Sequence, residues 1–182
     1  MGLYGSGPAP TEGEFRALIR SEVGGGWGFY ADARTTQAGA QSIATHATDF
    51  TSIVNLADGF IVEELPDDAP ASFWDGASSI VPYNLHDVLH VRVRMIVENY
   101  SGSAPFLELV IEAGGASGVI EARSVPLLKG GIPQIVEMTG ALFVGSDFLA
   151  NGGELMMRYD GNGSIDVYGV SSFIQRTYCK DN

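Results

Sequence analysis

The sequence predicts an all-β domain built as an antiparallel sandwich and preceded by a short helical arm. Three observations carry this: apolar residues recur with a period of two in eight or more short runs, Gly- and Asp-containing turns separate the runs, and no helical period appears after about residue 26. A chain of 182 residues is the size of one ordinary domain and buries roughly 70% of the surface its unfolded form exposes. It therefore needs neither disulfide nor metal to be stable.

Residues 1–10 are rich in Gly, Pro and Ala and show no period. From Thr11 to Glu22 the apolar residues Phe15, Leu18 and Ile19 fall at helical spacing. Thr11 and Glu14 form a capping box that satisfies free N–H groups of the first turn. Gly24, Gly25 and Gly26 end that helix and act as a joint. The domain organisation read from this is an arm, 1–26, and a sandwich, 27–182.

Strands are expected at 27–33, 51–55, 59–65, 88–98, 107–112, 119–125, 134–144, 154–159 and 164–176. The clearest is Val88 to Glu98, where Leu89, Val91, Val93, Met95 and Val97 alternate with mostly polar partners. Leu107, Leu109 and Ile111 continue the pattern beyond a turn at 99–103, so these two strands are expected to pair as a hairpin. Asp58-Gly59, Asp75-Gly76 and Asp160-Gly161 mark further turns. The closing strand carries apolar or small residues on both faces: Val167, Gly169 and Phe173 on one, Tyr168, Val170 and Ile174 on the other. A strand covered on both sides looks like this, and Tyr168, Val170 and Ile174 are the expected subunit contact.

Charge narrows the functional classes. The formal net charge is −12, from 10 basic and 22 acidic side chains with no basic run, which repels a phosphate backbone; nucleic acid is not an expected partner. No stretch approaches the roughly 20 apolar residues of a membrane span, and Met1 to Pro10 lack a signal-peptide core, so neither membrane insertion nor export by that route is expected. The lone Cys179 forms no intrachain bridge.

The motifs that resemble catalytic or metal sites fail on spacing. Asp160-Gly161-Asn162-Gly163-Ser164-Ile165-Asp166 copies the centre of an EF-hand loop, but the register puts Arg158 and Gly169 where the first and last ligands belong. A hairpin turn between strands 154–159 and 164–176 accounts for it better. His86 and His90 are four apart, the zinc spacing of a helix, in a segment that reads as strand, with His46 the sole further imidazole. Glu63, Glu64, Asp67 and Asp68 form an acidic run of the kind that is usually solvated. No nucleophile elbow or phosphate loop is present. No catalytic residue, metal or cofactor is expected, and the chain is read as a non-enzyme.

Four stretches taken in order carry a family resemblance: residues 25–30, GGWGFY; 59–65, GFIVEEL; 142–146, LFVGS; and 167–176, VYGVSSFIQR. Over about 25–178 the chain resembles the jelly-roll virion proteins of tailed bacteriophages, namely capsid decoration (cement) proteins and related trimeric fibre heads. The resemblance implies a homotrimer made in the host cytoplasm and held on the capsid exterior by the major capsid protein, with Phe15, Leu18 and Ile19 of the arm as attachment residues. It implies no catalytic residues. The alternative within the same resemblance is a receptor- or glycan-binding fibre domain, for which Phe73 and Trp74 are the expected ligand patch.

Overall fold

The computed structural model describes residues 25–44, 49–65, 72–100, 105–177. Residues 1–24 of the arm, with Phe15, Leu18 and Ile19, lie outside the described residues, as do His46, Asp67, Asp68 and Cys179, while Gly26, expected in the joint, opens β1. The elements are β1 (Gly26–Ala31), a 3-10 turn (Gln37–Gly39), β2 (Gln41–Ala44), β3 (Thr51–Ser52), β4 (Phe60–Glu64), β5 (Ser79–Ile80), β6 (Val88–Asn99), β7 (Phe106–Ala113), β8 (Gly118–Pro126), β9 (Gln134–Phe143), α1 (Ser146–Asn151), β10 (Gly153–Tyr159) and β11 (Ser164–Thr177).

All pairings are antiparallel, and the strands form two sheets. The six-stranded sheet runs β4-β1-β11-β6-β9, with β2 also on β11; the five-stranded sheet runs β3-β10-β7-β8, with β5 also on β10. Counting β3 and β5 as one interrupted strand gives β1-β11-β6-β9 stacked on β3/β5-β10-β7-β8. That is the jelly-roll order, in which the chain repeatedly crosses between sheets. The expected fold class is therefore observed, and the Greek-key order that alternation leaves open is settled by pairing.

The core lies between the sheets and is supplied by the alternation. Leu89, Val91, Val93, Met95 and Val97 point inward from β6, and Leu107, Leu109 and Ile111 meet them from β7. At one end of the sandwich a fully buried ion pair joins Arg176 Nε to Asp87 Oδ2 at 2.5 Å, with the guanidinium 5.9 Å from the Tyr83 ring. It pins the end of β11 to the segment leading into β6.

Two expected hairpins are corrected. β6 and β7 lie in different sheets, β6 between β11 and β9 and β7 between β10 and β8. β10 and β11 likewise separate, so residues 160–163 cross between sheets. Asp160 Oδ1 accepts from Phe106 N at 2.7 Å there, fixing the start of β7 rather than a hairpin. A period of two identifies a strand but not its neighbour. The expectation of no helix after the arm also misses α1, whose Phe148 is buried.

The closing strand is corrected in register. A bulge between Tyr168 and Ser171, with Gly169 at φ 59°, shifts the alternation partway along β11. Val167, Val170 and Ile174 consequently all face the core, while Tyr168 and Phe173 face outward. Val170 and Ile174 are 3% and 0% exposed, so they offer a neighbouring subunit no surface. The strand is laterally central, between β1 and β2 on one side and β6 on the other, and its inner residues face the core.

Candidate functional site

The outer face of the six-stranded sheet is where the molecule departs from a solvent surface. In β1 the inward positions are Gly26, Gly28 and Tyr30, and the outward ones are Trp27, Phe29 and Ala31. Glycine on the inner side is required at residue 28, where a Cβ would sit 2.2 Å from the Tyr30 hydroxyl oxygen. The register then sets Val62, Phe29, Phe173, Arg92 and Thr139 side by side across β4, β1, β11, β6 and β9. The rows on either side run Phe60, Ala31, Ser171, Arg94, Glu137 and Glu64, Trp27, Gln175, His90, Ala141.

Ring contacts join these rows. Trp27 stacks on Phe173 with centroids 6.0 Å apart, and Phe29 meets Phe60 edge-on at 6.3 Å. The half of the face over β4, β1 and β11 is thus aromatic, and the half over β6 and β9 is cationic. Arg92 Nη2 donates to Glu137 Oε2 at 2.7 Å; that bond raises the guanidinium and holds the Glu137 carboxyl below the usual carboxylate range. Two open depressions flank Phe173. One, of about 430 Å³, is lined by Phe29, Arg92, Arg94, Ser171 and Phe173; the other, of about 460 Å³, dips over Gly140 and Thr139 beside His90 and Arg92.

Toward the far end of the face Glu98 is 7% exposed and accepts from two tyrosines. Tyr168 Oη donates to its Oε1 at 2.5 Å, and Tyr100 Oη to its Oε2. The bond from Tyr100, then that from Tyr168, lowers the Glu98 carboxyl, while Tyr168 is pushed up to about 12 chiefly by the same carboxylate. Tyr168, expected at a subunit contact, is therefore an outward residue held to its own sheet.

Phe73 and Trp74, the expected ligand patch, are core residues at 0% and 3% exposure. The Tyr30 hydroxyl accepts from Phe73 N at 2.9 Å and donates to Glu63, while Trp74 Nε1 donates to the Asn55 carbonyl at 2.7 Å. Asp75 Oδ1 accepts from the amides of Ala77, Ser78 and Ser79, folding the next segment over them. A short aromatic pair beside a turn looks like a loop-tip ligand patch but here plugs the sandwich.

Glu63 and Glu64 are engaged within the fold, Glu63 by Tyr30 and Ser72 and Glu64 by Trp27 Nε1. His86 has φ 70° and stacks on Phe143, whereas His90 lies one register step along the outer face of β6. Among the described residues no three His, Cys, Asp or Glu side chains gather as a metal site.

The aromatic face was the feature missed in sequence. Its signal is present as an inversion: Gly-Trp-Gly-Phe places the small residues inward and the rings outward, and Phe60-Ile61-Val62 breaks the alternation of an edge strand.

No family model matches the chain, and no curated protein matches it. Among solved structures it is similar to an Eiger TNF from S. frugiperda, with 11% identity, 86% of this chain and 94% of that one covered, and a TM-score of 0.48. It is also similar to part of a Clostridium thermocellum endo-1,4-β-D-xylanase 10B fragment, CBM22-1 and GH10 modules complexed with xylohexaose, with 10% identity, 84% and 29% coverage, and a TM-score of 0.37. A third similarity is to a chain of the T13 IBDV viral particle, with 11% identity, 82% and 32% coverage, and a TM-score of 0.28. The chain spans about a third or less of the length of the last two. At these identities the similarities concern the backbone path alone.

Proposed function

We propose that the chain is a non-enzymatic structural protein of a phage virion, a homotrimer that decorates the capsid exterior through contact with the major capsid protein. The observation that carries the assembly is the aromatic outer face of the six-stranded sheet. An antiparallel sheet with one face on the core ordinarily turns polar residues to water on the other. Trp27, Phe29, Phe60, Val62 and Phe173 instead form one apolar surface, of the kind that marks a protein contact. Residues 1–26 remain the proposed tether to the particle, and Phe15, Leu18 and Ile19 the side chains that grip it.

Light scattering of the purified protein should give three times 19.3 kDa. Phe29→Ser with Phe173→Ser should reduce this to one subunit. A wild-type monomer at micromolar concentration that also fails to assemble on particles sinks the proposal. Deleting residues 1–24 should leave the mass at three subunits while occupancy on purified particles collapses.

The second reading, a receptor- or glycan-binding fibre domain, draws on the depression between Phe29 and Phe173, since rings beside Arg92 and Arg94 suit stacking on a sugar with polar contacts at its rim. Saturable glycan binding by a monomer, lost in Phe29→Ser, would favour it over the trimer.

A further inference from the structure

The two borders of the aromatic face differ in shape and charge. β4 is an edge strand, and among the described residues no strand pairs its far side. Phe60, Ile61 and Val62 are 58%, 52% and 37% exposed although they alternate across the sheet, so this edge is an apolar ridge on both sides. Protein edges are ordinarily blunted by Lys, Pro, a bulge or a covering segment. Among the described residues this one carries Glu64 outward at its end, with Glu63 turned inward to Tyr30 and Ser72.

Across the face, beyond Phe173, the surface dips by about 460 Å³ between His90, Arg92, Thr139 and Phe173, with Val91 and Gly140 also lining it. Exposed Thr139 and Ala141 flank that dip on β9, and Arg92 and Arg94 stand on the adjacent strand. Glu137 neutralises part of this cationic border and leaves an excess of positive charge. One border therefore projects, is apolar and ends in the outward acid Glu64; the other is recessed and carries cations.

We infer that, in the trimer proposed above, the contact runs head to tail. The β4 ridge of one copy seats in the dip beside Thr139 and Gly140 of the next, and its outward Glu64 faces that copy's Arg92 and Arg94. The inference rests on the trimer reading. A closed threefold ring needs a heterologous contact, with one patch giving and a different one receiving. The two borders of this face supply such a pair, and like charges at a misassembled ridge-to-ridge contact oppose the alternative. The occupant is a second copy because the charges complement each other within this one sequence.

Two variants separate the halves. Phe60→Asp with Ile61→Asp removes the ridge and leaves the dip; Arg94→Glu with Thr139→Glu reverses the dip and leaves the ridge. These four positions are exposed in the subunit, so far-ultraviolet spectra should stay close to wild type and melting should match that of dilute, dissociated wild type. Each variant alone should weigh 19.3 kDa by light scattering, and an equimolar mixture should give twice that, because one intact contact remains per pair. An independent measurement places Ile61→Cys and Thr139→Cys in a Cys179→Ser background. Oxidation should yield a ladder ending at three subunits on a non-reducing gel.

A wild-type trimer with either variant still trimeric, or with no ladder, overturns the head-to-tail assignment and leaves the trimer standing. A wild-type monomer removes both.

Discussion

The two sheets share one core and present opposite exteriors. On the five-stranded sheet the outward side chains satisfy one another: Arg158 donates from Nε to Glu108 Oε2 at 2.9 Å, Ser52 Oγ donates to Glu154, and Val110 is fully shielded. On the six-stranded sheet the corresponding positions hold Trp27, Phe29, Phe173, Arg92 and Arg94. Inner faces obey the same alternation in both. The difference teaches that packing within a subunit fixes only half of each strand, and that what the outer half faces has to be read from its chemistry.

The largest effects should be equal across the sheets, because they belong to the shared core. Met95→Ala on the six-stranded sheet and Leu109→Ala on the five-stranded one should each cost about 2–5 kcal/mol in denaturant unfolding, through lost burial and a residual cavity. A large disparity would mean that one sheet is stabilised mainly by assembly. Next in size, wild-type melting should rise with protein concentration, as expected when association stabilises the folded form, and Phe29→Ser with Phe173→Ser should abolish that dependence. Concentration-independent wild-type melting would erase the distinction between the faces.

A smaller effect concerns acid. Tyr100 and Tyr168 hold the folded Glu98 carboxyl below the ordinary glutamate value. Its contribution is therefore complete above that value and is lost as pH falls through the depressed folded value. Glu98→Gln should flatten the acid limb of the stability profile, measured by urea unfolding between pH 6 and about 2.5; an unchanged limb would remove Glu98 from it. Smallest of all, Arg158→Met on the five-stranded exterior should change stability by no more than about 1 kcal/mol and leave the mass unaltered, since its partner stays solvated. A loss of assembly in that variant would invert the roles of the two faces.

Most strands were legible because one face of each is buried, which writes a period of two into β6, β7, β9 and β10. Their partners were not legible: Leu109 is paired in its sheet with Met157 and Arg123 rather than with a residue of β6, and nothing in a period names a neighbour. The short β2 and β5 carry too few residues for a period to appear. In β11 a single bulge at Gly169 moves Val170 from the outside to the core, an inversion that no alternation rule anticipates. Phe73 and Trp74 were misread for another reason. Their environment is made by Tyr30 and Asn55, which lie 43 and 19 residues away.

The position of β11 also bears on when the protein can form. The last strand in the sequence occupies the middle of the six-stranded sheet, and its Phe173 pairs with Phe29 near the start of the described chain. While the ribosome is still making residues 164–177, β1 and β6 have no strand between them, and each presents an unsatisfied edge to solvent. Such long-range closure is slow and exposes intermediates to aggregation. Closure of this sheet consequently waits for residues 164–177, and a premature stop before Ser164 removes the keystone of the sheet rather than a dispensable tail.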